Sequence, residues 1–364
     1  MSDQQTKTLR DICIVHERST DPLIKVCRLA YLQLPRPSLQ QAEKFFTDFG
    51  LLSAVHQHNR IYMRTVDPSS HAIILDGSNK KAVIGLEANS LEDLHILAQH
   101  FAVPVVKRTD DDPLGGSYVC ISDPENNLIE LNYQLRQLPT IQLQDQRPNN
   151  SPQHCPRQND VVRFKLRPPT VSKLGHTVFG VNCLQRTVHW YQNVLGFIVS
   201  DFQMLPGDPI PTVAFLRCDR GGITSDHHTL ALGSAIDVGH LHTAFELSNV
   251  DEIGLSSTWL KQQGYKHSWG MGRHILGSQI FDYWRDPWGF QFEHYADGDV
   301  FDASKLCGYE IFNSHSLHQW GPPVSKDMLG KELSLGLLKT VLARLTSQGD
   351  LTFKRLRAMI KASS

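Results

Sequence analysis

Three residues in the second half of this chain are of the types that bind metal ions, and each sits in an apolar stretch that reads as a strand. His176 lies in Lys173-Leu-Gly-His176-Thr-Val-Phe, His242 in Leu241-His242-Thr-Ala-Phe-Glu, and Glu293 in Gly289-Phe-Gln-Phe-Glu293. Alternate residues of a strand share a face, so His240, His242, Ala244 and Glu246 are expected together, as are Gln291, Glu293 and Tyr295. In a curved sheet, one imidazole from each of two strands and a carboxylate from a third converge on a point. Such a set on one side of an ion leaves its other positions open, the facial arrangement of non-haem iron(II) oxygenases. A single strand histidine is more often a hydrogen-bonded core residue than a ligand.

An internal repeat separates the two readings. Arg28-Leu-Ala-Tyr31-Leu-Gln-Leu precedes a helical stretch with Leu39, Ala42, Phe45, Phe46 and Phe49 on one face, ended by Gly50. Lys173 to Phe179 likewise precedes a helix with Leu184, Val188, Tyr191 and Leu195 on one face, ended by Gly196. Downstream, His71-Ala-Ile-Ile-Leu lies opposite His228-Thr-Leu-Ala-Leu, and Val83-Ile-Gly-Leu-Glu lies opposite His242-Thr-Ala-Phe-Glu. Ser90-x-x-Asp93 and Ser248-x-x-Asp251 read as capping boxes. Asp123-Pro precedes Glu130 by the same interval at which Asp286-Pro precedes Glu293. Where the second unit carries His176, His242 and Glu293, the first carries Tyr31, Val83 and Glu130. The frame tolerates non-ligands, so the fold alone does not demand histidine. A metal site is expected in the second unit and a metal-free first unit.

The remaining composition is unremarkable in class. The chain has 364 residues, 40% hydrophobic, with 36 basic and 37 acidic residues for a net charge of -1. That balance gives no reason to expect a nucleic-acid or membrane partner. No apolar run reaches the roughly 18 residues of a spanning helix, and Met1 to Asp11 does not read as a signal peptide. The seven scattered cysteines, with no Cys-x-x-Cys pair, read as free thiols in a reducing cytoplasm. The expected organisation is an N-terminal segment (1–26), a first domain (27–138), a Pro-, Asn- and Gln-rich linker (139–170) with a strand at Asp160 to Leu166, a second domain (171–300), and a tail (301–364). The tail reads as an aromatic loop, His315 to Pro323, then helices over Met328 to Leu345 and Leu351 to Ile360. The stripe Leu338, Val341, Leu342 and Leu345 is expected to pack on a core.

The stretch Gly272-Arg-His274-Ile-Leu-Gly-Ser-Gln-Ile-Phe-Asp-Tyr283-Trp-Arg-Asp286-Pro-Trp-Gly289-Phe-Gln-Phe-Glu293 resembles the signature of extradiol ring-cleavage dioxygenases, in the vicinal oxygen chelate superfamily. The resemblance extends to His227-His228-Thr-Leu-Ala-Leu-Gly and covers Val171 to Asp299 well and Cys27 to Tyr133 more weakly. It departs at Asp282, where the family has an apolar residue before the tyrosine. The resemblance implies an α+β fold of two tandem domains, each of paired βαβββ units in a curved, mostly antiparallel sheet around a pocket, with the helical tail appended. It implies His176, His242 and Glu293 as iron(II) ligands, with manganese(II) an alternative and O2 as co-substrate. His228 would be the acid-base group by the oxygen site, while His274 and Tyr283 would contact the substrate hydroxyls. A catechol bound through its two oxygens must lose a proton, and a neutral imidazole with a pKa of about 6.5 is suited to take it.

The residues expected around the metal ligands also have plainer readings. His228 could be an ordinary strand residue, with His227 pointing the opposite way. His274 could be a solvated loop histidine, and His240 a supporting or surface residue. His315, His318 and Trp320 could cover the pocket. Alternatives to catechol cleavage are extradiol cleavage of a hydroquinone or trihydroxybenzene, a 4-hydroxyphenylpyruvate-dioxygenase-like oxygenase, or a non-catalytic small-molecule binding protein. The partner expected is an aromatic diol, and the protein itself is expected to be a cytoplasmic homo-oligomer acting in aromatic catabolism.

Overall fold

A computed structural model describes residues 3–363 except 70, 79–80, 143–146, 237, 314, 330–334 and 347–348. Helix α1 (Asp3–Ile12) leads into the first unit: β1 (Val26–Pro35), α2 (Leu39–Asp48), β2 (Leu52–Gln57), β3 (Arg60–Arg64), β4 (Ile73–Asp76), β5 (Val83–Ala88), α3 (Leu91–Phe101), β6 (Val106–Lys107), β7 (Ser117–Ser122) and β8 (Leu128–Tyr133). The second contains β9 (Val171–Val181), α4 (Leu184–Leu195), β10 (Phe197–Met204), β11 (Val213–Cys218), β12 (Ser225–Asp226), β13 (Leu230–Ser234), β14 (Gly239–Leu247), α5 (Val250–Gln262), β15 (Lys266–Arg273), β16 (Ile280–Arg285) and β17 (Gln291–Ala296). The tail adds β18 (Val300–Phe301), β19 (Gly308–Ile311), α6 (Lys326–Leu329), α7 (Leu335–Leu345) and α8 (Phe353–Ser363).

The repeat read from the sequence is visible in the strand order. The first sheet runs β2-β3-β4-β1-β5-β8-β7-β6, and the second runs β10-β11-β13-β9-β14-β17-β16-β15 in the same sense. Both have two parallel contacts at equivalent places, β1 with β4 and β5 with β8, then β9 with β13 and β14 with β17. Strand β19 extends only the second sheet, pairing with β10.

The helices form where the apolar spacing predicts, and they pack across the two units. Phe45 and Phe46 of α2, with Phe49 at its end, are fully buried and meet Phe292 of β17. Each such ring is worth about 1.5–3 kcal/mol of burial. His294 stacks on Phe49 at 3.6 Å, donates from Nε2 to the Phe49 carbonyl (2.8 Å) and accepts at Nδ1 from Ser256 Oγ (2.8 Å). The two Asp-Pro turns complete the pairing. Asp286 accepts from the backbone of Trp288 and Phe290 and meets Arg36 of the first unit at 3.0 Å, while Asp123 accepts from Glu125 and Asn127 and from Tyr191 of the second unit.

Several expectations need correction. No strand forms at 160–166, since nothing pairs with that Pro-flanked stretch. Ser90 and Asp93 form the capping box, but α5 is capped by Asn249, which accepts from the Glu252 amide, because the helix starts one residue later than Ser248 implied. In the stretch expected as a helix over Met328 to Leu345, the described residues are helical in α6 and α7, and residues 330–334 lie outside the described ones; Leu342 is 50% exposed rather than packed on a core. The side chain of Leu338 lies outside the described residues.

Candidate metal centre

The centre is a cross-strand row. Ala244 of β14 pairs with His176 of β9 on one side and Glu293 of β17 on the other, while His242 lies one inward position along β14. Ala244 is fully buried, and its methyl group leaves the space above the row to the two longer side chains. His176 Nε2 and His242 Nε2 each lie 3.4 Å from the same Glu293 oxygen, Oε2. The donor atoms of all three residues fall within 4.8 Å of one another.

This geometry fits a divalent ion. Both Glu293 oxygens are buried and neither has a hydrogen-bond partner, although a buried carboxylate without one is costly. At 3.4–3.6 Å the surrounding imidazoles stabilise its charge without bonding to it. Burial pushes the Glu293 carboxyl up, but His176, His242 and His274 outweigh burial and hold it well below its usual range. Burial also lowers His176, against the opposing pull of Glu293, which favours the neutral imidazole that a metal requires. Two nitrogens and one carboxylate suit iron(II) and manganese(II) alike.

The other singled-out residues surround this point. The His228 ring lies 3.9 Å from that of His176, and burial, followed by the neighbouring His176 and His227, holds it well below its usual value. His274 donates from Nδ1 to the Leu317 carbonyl (2.7 Å), which leaves Nε2 to accept from Tyr283 OH (3.0 Å). The same Nε2 is 3.6 Å from Glu293 Oε1. Burial raises the Tyr283 phenol well above its usual value, reinforced by Glu293, so the group stays a proton donor. Trp269 stacks on Tyr283 and Phe281 stacks on His274, so both polar tips project from an aromatic wall.

The tail covers that wall by its backbone more than by the side chains singled out. Arg273 donates its amide to Trp320 O (2.9 Å), Gln319 donates to Arg273 O (2.6 Å), and Leu317, Val324 and Met328 pack on Trp269, Phe281 and Tyr283. His318 meets Trp269 edge-on, whereas Trp320 is 47% exposed and His315 is exposed.

Two strand-face expectations fail. A register shift in the β9–β14 pairing falls between His240 and His242. That bulge breaks the alternation; His240 turns to Thr243 Oγ1 (2.7 Å) and to Phe292, on the other face from Glu293. His227 does not point away from His228. It sits at a bend between β12 and β13, where strand alternation does not apply, and its Nδ1 lies 2.9 Å from His228 Nδ1. The departure at Asp282 also has a structural account: its buried carboxylate accepts from Trp284 Nε1 (2.9 Å) and meets His267 Nε2 (2.6 Å). Sequence reading missed Asp201, His227 and Leu317 as parts of the site; only the His-His pair signalled any of them.

Residues 173–294 match the family model described as the Glyoxalase/Bleomycin resistance protein/Dioxygenase superfamily. The chain is 29% identical over 306 residues to metapyrocatechase 2 of Cupriavidus necator, covering 83% of this chain and 91% of that one. It is also 29% identical over 161 residues to an iron-dependent extradiol dioxygenase of Rhodococcus jostii, covering 43% and 52%. Homoprotocatechuate 2,3-dioxygenase from Arthrobacter globiformis superposes with a TM-score of 0.69 at 17% identity, covering 87% of this chain and 96% of that one. A manganese(II)-bound glyoxalase from Novosphingobium aromaticivorans superposes equally well, TM-score 0.69 at 22% identity, covering 88% and 99%. The fold is that of the superfamily's tandem units, and the sequence relatives are extradiol ring-cleaving dioxygenases, as the signature around Tyr283 and Glu293 implied.

Proposed function

We propose that this protein is an iron(II)-dependent extradiol dioxygenase that cleaves a catechol-type ring beside its hydroxyl pair, with the centre carried by residues 171–300 and with residues 27–138 as metal-free scaffold. The observation that carries the reading is the buried, unpartnered Glu293 carboxylate facing two imidazole Nε2 atoms at 3.4 Å. An iron(II) ion bound by His176, His242 and Glu293 would supply open positions for both diol oxygens and for O2, and would acidify a bound phenol. The protein's residues manage position and protons. His228, kept neutral by burial, accepts a proton beside His176. Tyr283 stays protonated and donates, and His274 presents its bare Nε2 to the same region. Trp269 and Phe281 exclude water and give a flat ring an apolar wall. Manganese(II) suits the same ligand set, and the reading includes a cytoplasmic homo-oligomer, which light scattering checks.

Oxygen-electrode assays on protein loaded anaerobically with iron(II), against catechols, hydroquinones and trihydroxybenzenes, test the activity. Uptake with a catechol and a yellow ring-opened product supports it. Protein that binds iron or manganese at one ion per chain yet consumes no O2 with any diol would overturn it.

A further inference from the structure

His228 is the end of a three-residue chain. Its Nδ1 lies 2.9 Å from His227 Nδ1, and His227 Nε2 lies 2.6 Å from Asp201 Oδ2. Two neutral imidazoles that share one Nδ1–Nδ1 contact have two equivalent solutions, because either ring can donate. A carboxylate removes that degeneracy, since it only accepts. Asp201 requires the proton of His227 on Nε2, so His227 Nδ1 is bare. The proton between the rings therefore belongs to His228 Nδ1, and His228 Nε2 is bare.

The surroundings fix each member. His227 donates its amide to Asp299 O (2.8 Å), its carbonyl accepts from Ser200 Oγ (2.5 Å), and its ring lies between Phe215 and Phe301. Asp201 pairs in register with Gly308 of β19, where a Cβ would collide with Asp201 Oδ1. Strand β19, which the first sheet lacks, thus accommodates the carboxylate. The first unit provides the contrast. Val55 stands five positions after Gly50, as Asp201 stands five after Gly196 (55 − 50; 201 − 196). His71, the counterpart of His228, is buried with neither ring nitrogen hydrogen-bonded.

We propose that Asp201 and His227 are positioning residues that lock His228 in its Nδ1–H tautomer, making Nε2 its proton-accepting atom. The use of that atom rests on the dioxygenase reading; the tautomer does not. The test is long-range proton–nitrogen NMR of the full chain with nitrogen-15 histidine and zinc(II) as a diamagnetic occupant, assigned with His227→Gln and His228→Gln. The expected spectrum shows His228 with a protonated Nδ1 and a bare Nε2, and His227 with the reverse. In Asp201→Ala, His228 becomes a tautomer mixture, manganese(II) content stays at the wild-type level, and kcat falls about tenfold or more with KM nearly unchanged, because a base in the wrong tautomer forfeits its contribution. A wild-type His228 with its proton on Nε2, or an Asp201→Ala protein with an unchanged His228 tautomer, overturns the proposal. The wild-type spectrum decides even where the variant fails to fold. The expected tautomers in a protein that oxidises no diol support this proposal and sink the proposed activity.

Discussion

Two equivalent rows of the two sheets solve the same electrostatic problem differently. In the first sheet Tyr31, Gly85 and Glu130 pair across β1, β5 and β8; in the second His176, Ala244 and Glu293 pair across β9, β14 and β17. The carboxylate is kept in both. In the first unit its charge is met by the chain itself: Arg108 reaches Glu130 (3.0 Å) and Asn132 (2.8 Å), and Tyr31 OH donates to Glu130 (2.5 Å). Gly85 makes this possible, because a Cβ there would fall 2.5 Å from the Tyr31 ring. Arg108 directly follows β6, the counterpart of β15, and so occupies the region that His274 takes in the second unit. In the second unit no arginine or lysine pairs with Glu293 among the described residues, and three imidazoles surround it. A tethered cation fills the first row; the imidazoles around Glu293 leave the second row able to hold an exchangeable one.

The largest break in this contrast is His242→Ala. With one imidazole gone, the remaining pair should lose the ion, so metal content falls from near one per chain to about a tenth or less and O2 uptake vanishes. Full iron content with full turnover would show that the ligands lie elsewhere. His228→Gln separates chemistry from binding: metal content is retained while kcat drops by about 10²–10⁴, the worth of a general base.

Arg108→Ala attacks the other side. It leaves the partly buried Glu130 charge beside the buried Tyr31 phenol, and breaking such a pair costs up to about 3 kcal/mol. The denaturation midpoint should fall accordingly, while kcat per folded molecule and metal content hold. A variant with unchanged stability would show that the pseudo-site is not held by its tethered cation.

How much of this was legible depends on whether a residue's environment is local. The candidate triad was legible because the sister unit shows Tyr31 and Val83 at positions where the second has histidines. Helices α2 and α4 were legible from the 3.6-residue spacing of their buried faces. His240 was misread because a bulge shifts the strand phase, and a bulge leaves no mark in one sequence. His227 was misread because it occupies a bend, so its ring direction is set by Asp201, 26 residues away. Arg108 was not legible as a counter-ion, since its partner Glu130 lies on a different strand, 22 residues on.

The unpartnered His71 makes the contrast pH-sensitive. Burial, with Arg64 and Arg136 nearby, lowers its pKa to about 4. An unfolded histidine titrates near 6.5. Between those values the unfolded chain binds the proton that the folded chain refuses, so stability falls as pH falls from about 6.5 to about 4 and levels below. The full loss is about 3 kcal/mol. Urea midpoints across this window should fall more steeply for the wild type than for His71→Gln; parallel curves would remove His71 as the cause.

Val83→His should change least, and for that reason it is the sharpest comparison. It restores at the first row the residue type of His242, so the carboxylate and one imidazole are both present. Two of three ligand types would exist, but the third position still holds the Tyr31 ring, whose hydroxyl already occupies Glu130, and Arg108 already neutralises it. An incoming dication would have to displace a guanidinium from a partly buried carboxylate and face its positive charge. Metal analysis should therefore still find one ion per chain. A second equivalent bound by Val83→His would mean that ligand type alone decides between scaffold and site, and that the tethered arginine is no barrier.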